Sequence, residues 1–240
     1  MAMHAGAEQT TALLISGGVD SAILLAHLLE RGARVQPLYV RTGCVWESAE
    51  RRAISRWVAA LASEALAPVI DLTMPVADLY GEHWSLTGRN VPDETTPDEA
   101  VFLWGRNPLL LLKAVLWCQL NQTPRLALGT LASNPFADAS PLFFRQFEQT
   151  LHSATGQRIQ ILRPFAGRTK TQVLALGTDL PLHLTFSCLA PVDDQHCGAC
   201  NKCAERRRAL QTLPDGDPTV YARGAFELVG QHSDPLSGGG

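Results

Sequence analysis

Short apolar runs alternate with longer amphipathic stretches along most of this chain. The apolar runs have the length of buried strands, and the longer stretches have the spacing of helices. Strands are predicted at residues 11–15, 35–40, 69–72, 126–129 and 159–162. Helices are predicted at residues 22–30, 47–66, 105–120, 141–154, 169–176 and 201–213. This succession is typical of an α/β fold built on a doubly wound, Rossmann-like parallel sheet.

Three stretches depart from the alternation. Pro37 lies inside the second predicted strand, and because proline has no N–H to donate, this strand is expected at an edge or beside a bulge. Residues 75–97 have no regular pattern and are expected to form an irregular excursion. The polar, glycine-rich residues 226–240 are predicted to be a flexible tail.

Composition narrows the functional classes. The 240 residues carry 20 Lys and Arg against 23 Asp and Glu, a formal net charge of −3, which argues against a dedicated nucleic-acid-binding protein. No apolar run reaches the roughly 20 residues that a membrane-spanning helix needs. Residues 1–10 show no signal-peptide pattern, so the protein is expected in the cytoplasm, where thiols stay reduced.

The strongest local motif follows the first predicted strand and opens the first helix. Its six residues are Ser16, Gly17, Gly18, Val19, Asp20 and Ser21. Adjacent glycines let backbone N–H groups approach an anion, and the helix start adds unpaired donors and a positive dipole end. Serine hydroxyls can donate to phosphate oxygens, and Asp20 is a candidate ligand for the Mg²⁺ that accompanies phosphates. The alternative is a glycine turn with a serine cap.

Four of the six cysteines form a second cluster. Cys188, Cys197, Cys200 and Cys203 supply a complete tetrahedral shell of thiolates, which favours a structural Zn²⁺ site. An iron–sulfur cluster is the alternative; the neighbouring His196 could compete as a ligand, but four cysteines already suffice. The two remaining cysteines stand apart: Cys118 lies in an apolar helix and Cys44 in a predicted loop.

The Ser-Gly-Gly-x-Asp-Ser motif resembles the PP-loop of the ATP pyrophosphatase superfamily. Together with the cysteine pattern, it makes the chain similar to the 7-cyano-7-deazaguanine synthase (QueC/ExsB) family from about residue 12 to about residue 210. Further matching segments are Gly105-Arg106-Asn107, Gly129, Phe136-x-Asp138, Lys170 and Thr185-Phe186-Ser187-Cys188. The resemblance implies an adenine nucleotide α-hydrolase fold over residues 10–180 and a small zinc-binding lobe over residues 181–225.

The resemblance also implies a reaction. ATP adenylates the carboxylate of 7-carboxy-7-deazaguanine, ammonia gives the amide, and a second ATP gives the nitrile, with AMP and pyrophosphate released. The implied cofactors are ATP, Mg²⁺ and Zn²⁺, no membrane is involved, and the protein is expected to be a homodimer.

The family pattern assigns roles to several residues. Asp20, Lys170 and Arg106 are the catalytic candidates, and Gly129 joins residues 16–21 in binding nucleotide. The candidate substrate-binding residues from the same pattern are Asn107, Phe136 and Asp138, and Trp46 is a further candidate because its ring can stack on a flat heterocycle. Each has a plainer interpretation: the cations as surface charges, Asn107 as a helix cap, and Trp46 as a core residue.

The chain departs from the family pattern after the second strand, where it reads RTGCVWE from Arg41 to Glu47. Only Gly43 matches the usual segment, so the motifs indicate the use of ATP but leave alternatives for the substrate. The alternatives are a related enzyme that adenylates a different acid, one that joins a deazaguanine to a protein amine, and a tRNA thiolase or lysidine-type enzyme using Cys44. A catalytically silent nucleotide-binding module is the alternative outside the enzymes.

Overall fold

The computed structural model describes residues 10–222, and a parallel sheet of five strands lies at its centre. The strands are β1 (Thr11–Leu14), β2 (Val35–Arg41), β3 (Ile70–Thr73), β4 (Arg125–Ala127) and β5 (Gln160–Leu162). Their order across the sheet is β3-β2-β1-β4-β5, with parallel pairing throughout. The predicted doubly wound α/β architecture is therefore confirmed.

Eight α-helices connect and flank these strands in the described part of the chain. They are α1 (Val19–Glu30), α2 (Glu47–Leu61), α3 (Ala77–Tyr80), α4 (Trp84–Thr87), α5 (Arg106–Leu120), α6 (Pro141–Thr155), α7 (Lys170–Leu174) and α8 (Asn201–Leu210). None of the helices described is long and apolar enough to span a membrane. The expected extension of α2 to residue 66 is wrong, because Ala62 adopts a left-handed conformation (φ 40°) that ends the helix.

The pleat of the strands sends alternate side chains to two separate cores. Leu13 of β1 packs on one face with residues of α1, α2 and α7. Its neighbour Ala12 packs on the opposite face with α5 and α6. Because helices cover both faces of the sheet at β1, Ala12 and Leu13 are both fully buried, and this strand appears in the sequence as a short, largely apolar run.

Pro37 lies in an interior strand, so the expected edge position is wrong. The strand pairing is instead irregular between β2 and the segment that leads into β3. From the bridge between Val35 and Leu66 to the pair Leu38 and Ile70, β2 advances three residues while its neighbour advances four. The missing N–H of Pro37 falls within this interruption, so the sheet tolerates the proline.

The strand order reverses between β1 and β4. The chain first builds β1, β2 and β3 outward in one direction, then returns to place β4 on the other side of β1. Crossovers on opposite faces leave a crevice beyond the carboxyl ends of these two central strands, where α/β proteins commonly bind ligands. The 16–21 loop leaves β1 at this crevice, and residues 128–131 leave β4 beside it.

A third core lies over this end of the sheet. It joins residues of the 75–104 segment, which contains α3 and α4, to Trp46 and to the four-cysteine region. Leu182 and Leu210 from the predicted C-terminal lobe pack into the same core as α1. The division into residues 10–180 and 181–225 stays a prediction, and the predicted tail at residues 226–240 lies outside the described residues.

We expect Gly129→Ala to destabilise the protein, because a Cβ there would lie 3.2 Å from both the carbonyl carbon and oxygen of Asp20 and 3.3 Å from the backbone nitrogen of Ser21. Backbone atoms cannot turn aside as a side chain can, so the free energy of unfolding should fall by about 1–3 kcal/mol. Urea unfolding measures this change. Gly167→Ala is the matched control, since a Cβ there meets nothing within 4 Å. Equal losses in both variants would contradict the packing argument.

Candidate active site

The 16–21 loop is held in shape by its own hydrogen bonds. The Ser21 hydroxyl donates to the Gly18 carbonyl at 3.0 Å, and the two serine Oγ atoms lie 3.2 Å apart. Gly17 has φ +76°, and a Cβ there would lie 3.1 Å from the carbonyl oxygen of Glu50. Gly18 is the N-cap of α1 and has no side chain to occupy the first-turn N–H groups. Those donors are thus available to an anion.

The loop opens into a cleft of about 440 Å³. The cleft is lined by the loop, by the segment after β4, by the start of α5 and by residues of α7 and α8. The polar and charged lining residues are Ser16, Asp20, Ser21, Asp98, Asn107, Thr130, Ser133, Asn134, Lys170, Lys202 and Glu205. Gly18, Gly129 and Phe136 also line it. The structure therefore gathers most of the predicted nucleotide-binding residues around one cavity.

A chain of ion pairs crosses one wall of this cleft. Lys170 Nζ donates to both carboxylate oxygens of Asp20, at 2.9 and 2.7 Å, and lies 3.8 Å from Glu205. Lys202 Nζ lies 2.6 Å from the same Glu205. Burial raises the pKa of Asp20, and Lys170 opposes that shift. Burial also acts to raise the pKa of Glu205, but Lys202 and Lys170 together hold it below its ordinary value.

Lys202 and Glu205 are site residues that sequence reasoning missed. They belong to α8, where the cysteine spacing indicates metal binding and no local pattern indicates that the charged side chains enter the cleft. The available signal was the Lys-x-x-Glu spacing, which places both side chains on one face of a helix. By contrast, Lys170 was predicted, and a capping box between Thr169 and Gln172 fixes the start of its short helix α7.

Asn107 and Asp138, both predicted to bind substrate, contact each other. Asn107 Nδ2 donates to the Asp138 carbonyl at 3.1 Å and to its carboxylate at 3.2 Å. Gly105, with φ +69°, is the N-cap of α5, so the helix-cap interpretation of Asn107 is wrong. The pair connects α5 to the loop before α6. Asn107 lines both the 440 Å³ cleft and a second pocket, and Asp138 lines the second pocket.

This second pocket, of about 210 Å³, is lined by aromatic side chains. Its four aromatic residues are Trp46, Trp84, Phe102 and Phe136. Trp46 is buried, with its ring 5.8 Å from that of Trp84 and 5.7 Å from the Arg106 guanidinium. Arg106, a predicted catalytic residue, lines this aromatic pocket and a small cavity next to it. The cations that line the 440 Å³ cleft are Lys170 and Lys202.

The divergent segment after β2 is held by two buried carboxylates. Glu47 accepts the backbone N–H groups of Thr42 and Gly43, the latter at 2.7 Å. Glu50 accepts a 2.7 Å hydrogen bond from the Tyr39 hydroxyl. Burial raises the pKa of Glu50 to about 7, although Arg106 and the Tyr39 hydrogen bond oppose the shift. Both glutamates therefore have structural partners: Glu47 binds the divergent segment itself, and Glu50 binds Tyr39 of β2.

Cys44 is buried in the same region, 3.3 Å from the Thr42 hydroxyl. Burial raises the pKa of its thiol despite the nearby Arg106. A reactive cysteine needs the opposite setting, one that is accessible and stabilises the thiolate. This environment argues against a thiol mechanism at Cys44.

The four predicted metal ligands converge. The sulfur atoms of Cys188, Cys197, Cys200 and Cys203 all lie within 4.8 Å of one another, and all four residues are buried. Backbone N–H groups point at three of them, including that of Leu189 at 3.4 Å from Cys200 Sγ and that of Cys197 at 3.2 Å from Cys188 Sγ. Such a donor set suits a soft, tetrahedral metal ion or an iron–sulfur cluster and leaves no protein ligand missing.

His196 does not complete this cluster. Its Nε2 accepts the backbone N–H of Ser187 at 3.2 Å, and its ring packs 4.6 Å from that of Phe186. This agrees with the prediction that the four cysteines suffice without His196. Arg206, from the same helix as Cys203, is buried and donates to Leu182 O at 3.0 Å and to Thr185 Oγ1 at 2.9 Å, which fastens α8 to the preceding loop.

The fold and the loop at its switch point define a PP-loop nucleotide-binding protein. The family model described as "Queuosine biosynthesis protein QueC" matches residues 10–214, and the chain belongs to this family. The resemblance drawn from the motifs is thereby confirmed, and with it a place in queuosine biosynthesis.

The chain aligns with curated relatives over nearly the full length of each relative. The 7-cyano-7-deazaguanine synthase 1 of Desulfitobacterium hafniense (strain Y51) is 31% identical over 83% of this chain and 90% of its own. The 7-cyano-7-deazaguanine synthase of Methanosphaerula palustris is 30% identical over 87% and 97%. Among solved structures, the U34-tRNA thiolase NcsA from Methanococcus maripaludis, with its [4Fe-4S] cluster, has a TM-score of 0.47 and 13% identity. It covers 85% of this chain and 67% of its own.

We expect the buried Glu50 to make stability fall as the pH rises. Because its pKa is raised from 4.5 to about 7, the folded protein holds this proton more tightly than the unfolded chain. The contribution is fully present below pH 4.5 and is lost as the pH rises through 7, on the order of 3 kcal/mol in total. Urea unfolding at pH 5 and pH 8 measures the difference.

Glu50→Gln should shrink that difference, since an amide does not ionise. The matched control is Glu30→Gln, which changes an exposed carboxylate on α1 and should keep the wild-type pH dependence. An unchanged pH dependence in Glu50→Gln would show that Glu50 is ionised over the whole range.

Proposed function

We propose that the protein is an ATP-dependent, AMP-forming C–N ligase that converts 7-carboxy-7-deazaguanine and ammonia to 7-cyano-7-deazaguanine. The supporting observation is the junction of two cavities: a cleft built on the phosphate loop and an aromatic pocket share Asn107, Asn134, Phe136 and Lys202. A nucleotide and a flat heterocyclic acid bound there would meet at the α-phosphate. Curated relatives carry the name of this activity.

The chemistry proceeds through two activations. The carboxylate oxygen of the acid attacks the α-phosphorus of ATP, and pyrophosphate leaves. Ammonia then displaces AMP from the acyl-adenylate and gives the amide. In the second round the amide oxygen is adenylated, pyrophosphate leaves again, and loss of a proton and AMP produces the nitrile. Each activation converts a poor leaving oxygen into AMP.

The residues of the cleft supply binding and charge. The six residues of the loop and Gly129 receive the nucleotide, and Lys170 faces its phosphates. Asp20, which Lys170 holds in this structure, has the carboxylate that suits a Mg²⁺ ligand. Mg²⁺ would neutralise charge on the pyrophosphate. With its carboxylate on the metal, Asp20 would leave Lys170 free to donate to phosphate oxygens.

The aromatic pocket fits the acid substrate. Phe136 and Phe102 lie 4.9 Å apart and offer faces for a planar ring. Asn107 and Asp138 place an amide and a carboxylate at the border with the cleft, where they can pair with ring N–H and carbonyl groups. Arg106 on Trp46 closes the far side. The divergent segment borders this pocket, so a related acid is the alternative substrate.

We assign the four-cysteine site to zinc, in a structural role. Four sulfurs at 2.3 Å from a tetrahedral zinc lie about 3.8 Å apart. The sulfurs of Cys188 and Cys200 are 3.9 Å apart, and those of Cys197 and Cys203 are 4.0 Å apart. An iron–sulfur cluster is the alternative. The cytoplasmic location, predicted from residues 1–10, and the homodimer, predicted from the resemblance, both stay predictions.

We expect the purified protein, given ATP, Mg²⁺, ammonia and 7-carboxy-7-deazaguanine, to yield AMP, pyrophosphate and the nitrile, detected by mass spectrometry. A panel of carboxylated deazapurines tests the alternative acids, and mixtures without ammonia test a protein amine as acceptor. Asp20→Asn should lower turnover by about a hundredfold or more, since it removes the charge proposed to hold Mg²⁺. AMP formation without a deazaguanine product would overturn the substrate assignment.

We expect Cys200→Ala to lose the bound metal and several degrees of melting temperature, because it removes one of four thiolates through which a metal would link positions spread over residues 188–203. Metal content by mass spectrometry and thermal unfolding measure the two effects. The matched control is Cys118→Ala, which removes a buried thiol from α5 and should keep its metal. One zinc per chain supports the assignment, and iron with sulfide would replace it by a cluster.

A further inference from the structure

Lys202 occupies a central position in the site. Its side chain lines the nucleotide cleft, the aromatic pocket and a third cavity of about 190 Å³ beside α7. Among the cations of the described residues, it alone lines both the cleft and the aromatic pocket. The amino group is therefore close to the place where the α-phosphate and the acid would meet.

The first turn of α8 is clamped on both sides. Cys200, its N-cap, and Cys203 belong to the thiolate cluster. Between them, Asn201 donates its backbone N–H to Pro92 O at 2.9 Å and its side-chain amide to Thr96 O at 2.9 Å. Lys202 thus projects from a fixed backbone, and only its side chain needs to move to reach a ligand.

The charges of the cleft call for a second cation. Its ionisable lining groups are Asp20, Asp98, Glu205, Lys170 and Lys202, which sum to −1 when all are charged. A triphosphate adds several more negative charges. One Mg²⁺ would offset only two of these charges, and the main-chain donors of the loop contribute partial charges, so we expect both lysines to receive phosphates. Among the described residues, the ion pairs of each lysine are with carboxylates that line the cleft.

We propose that Lys202 is a second phosphate-contacting catalytic residue, which acts at the α-phosphate, and that Glu205 is the positioning residue that holds Lys202 and Lys170 apart and in place. Glu205 Oε2 binds Lys202 while Oε1 faces Lys170, so one carboxylate orients both ammonium groups. The contact with the α-phosphate during adenylation rests on the proposed function, whereas the contact with ATP does not.

The test compares Lys202→Met with Arg208→Met, which removes an exposed cation from the same helix. Two quantities are measured on the metal-loaded protein: the affinity for MgATP by calorimetry, and the acid-dependent exchange of labelled pyrophosphate into ATP. Lys202→Met should lower the affinity about tenfold and the exchange rate about a hundredfold, while Arg208→Met changes each by less than about twofold. Lys202→Arg should restore part of both.

Glu205→Gln tests whether Glu205 positions the two lysines or only maintains the structure of the site. Loss of a negative charge beside the phosphates should leave the affinity for MgATP equal or higher, while the misplaced lysines lower the maximal exchange rate about tenfold. A collapse of the site would weaken both quantities, and that outcome would overturn the positioning role.

The two proposals fail in different ways. If the wild-type protein shows no exchange with 7-carboxy-7-deazaguanine, the proposed function fails, and the MgATP affinities alone decide the role of Lys202. If Lys202→Met binds MgATP and exchanges pyrophosphate as the wild type does, the role of Lys202 is overturned while the proposed function stands.

Discussion

The nucleotide cleft exists because two backbones meet at Gly129 with no side chain between them. The segment after β4 approaches the first turn of α1 so closely that a single Cβ would contact Asp20 and Ser21. That approach joins the ends of the two central strands at the point where the strand order reverses. It sets the segment after β4 directly beside the phosphate loop, so both line the same cleft.

A second constraint joins the C-terminal region to the phosphate loop. Through Lys170 and Glu205, the helix that carries two cluster cysteines is linked to Asp20 on α1. The Phe186 N–H also donates to the Gly17 carbonyl at 2.7 Å. The four-cysteine site is thus more than a local brace: by fixing the first turn of α8, it determines which charges enter the nucleotide cleft.

Local features of this protein were predictable because they depend on neighbours in sequence. The 16–21 loop needs only a strand before it and a helix after it, and four thiols within sixteen residues can reach one another through a short loop. Arg106 and Asn107 show the limit. They are adjacent in the chain, yet Asn107 faces the cleft and binds Asp138, while Arg106 lies over Trp46. Their directions depend on how α5 packs, which no local pattern reveals.

Residue types at short spacing were enough to predict the alternation of strands and helices, the position of the 16–21 loop, the cysteine cluster and the family. Tertiary structure alone decided that Pro37 sits in an interior strand, that Cys44 and Glu50 are buried, and that Lys202 and Glu205 enter the cleft. The physical reason is common to all of them. Burial, pKa and charge pairing depend on groups that are distant in the chain, such as the 150 positions between Asp20 and Lys170, and only the folded chain brings those groups together.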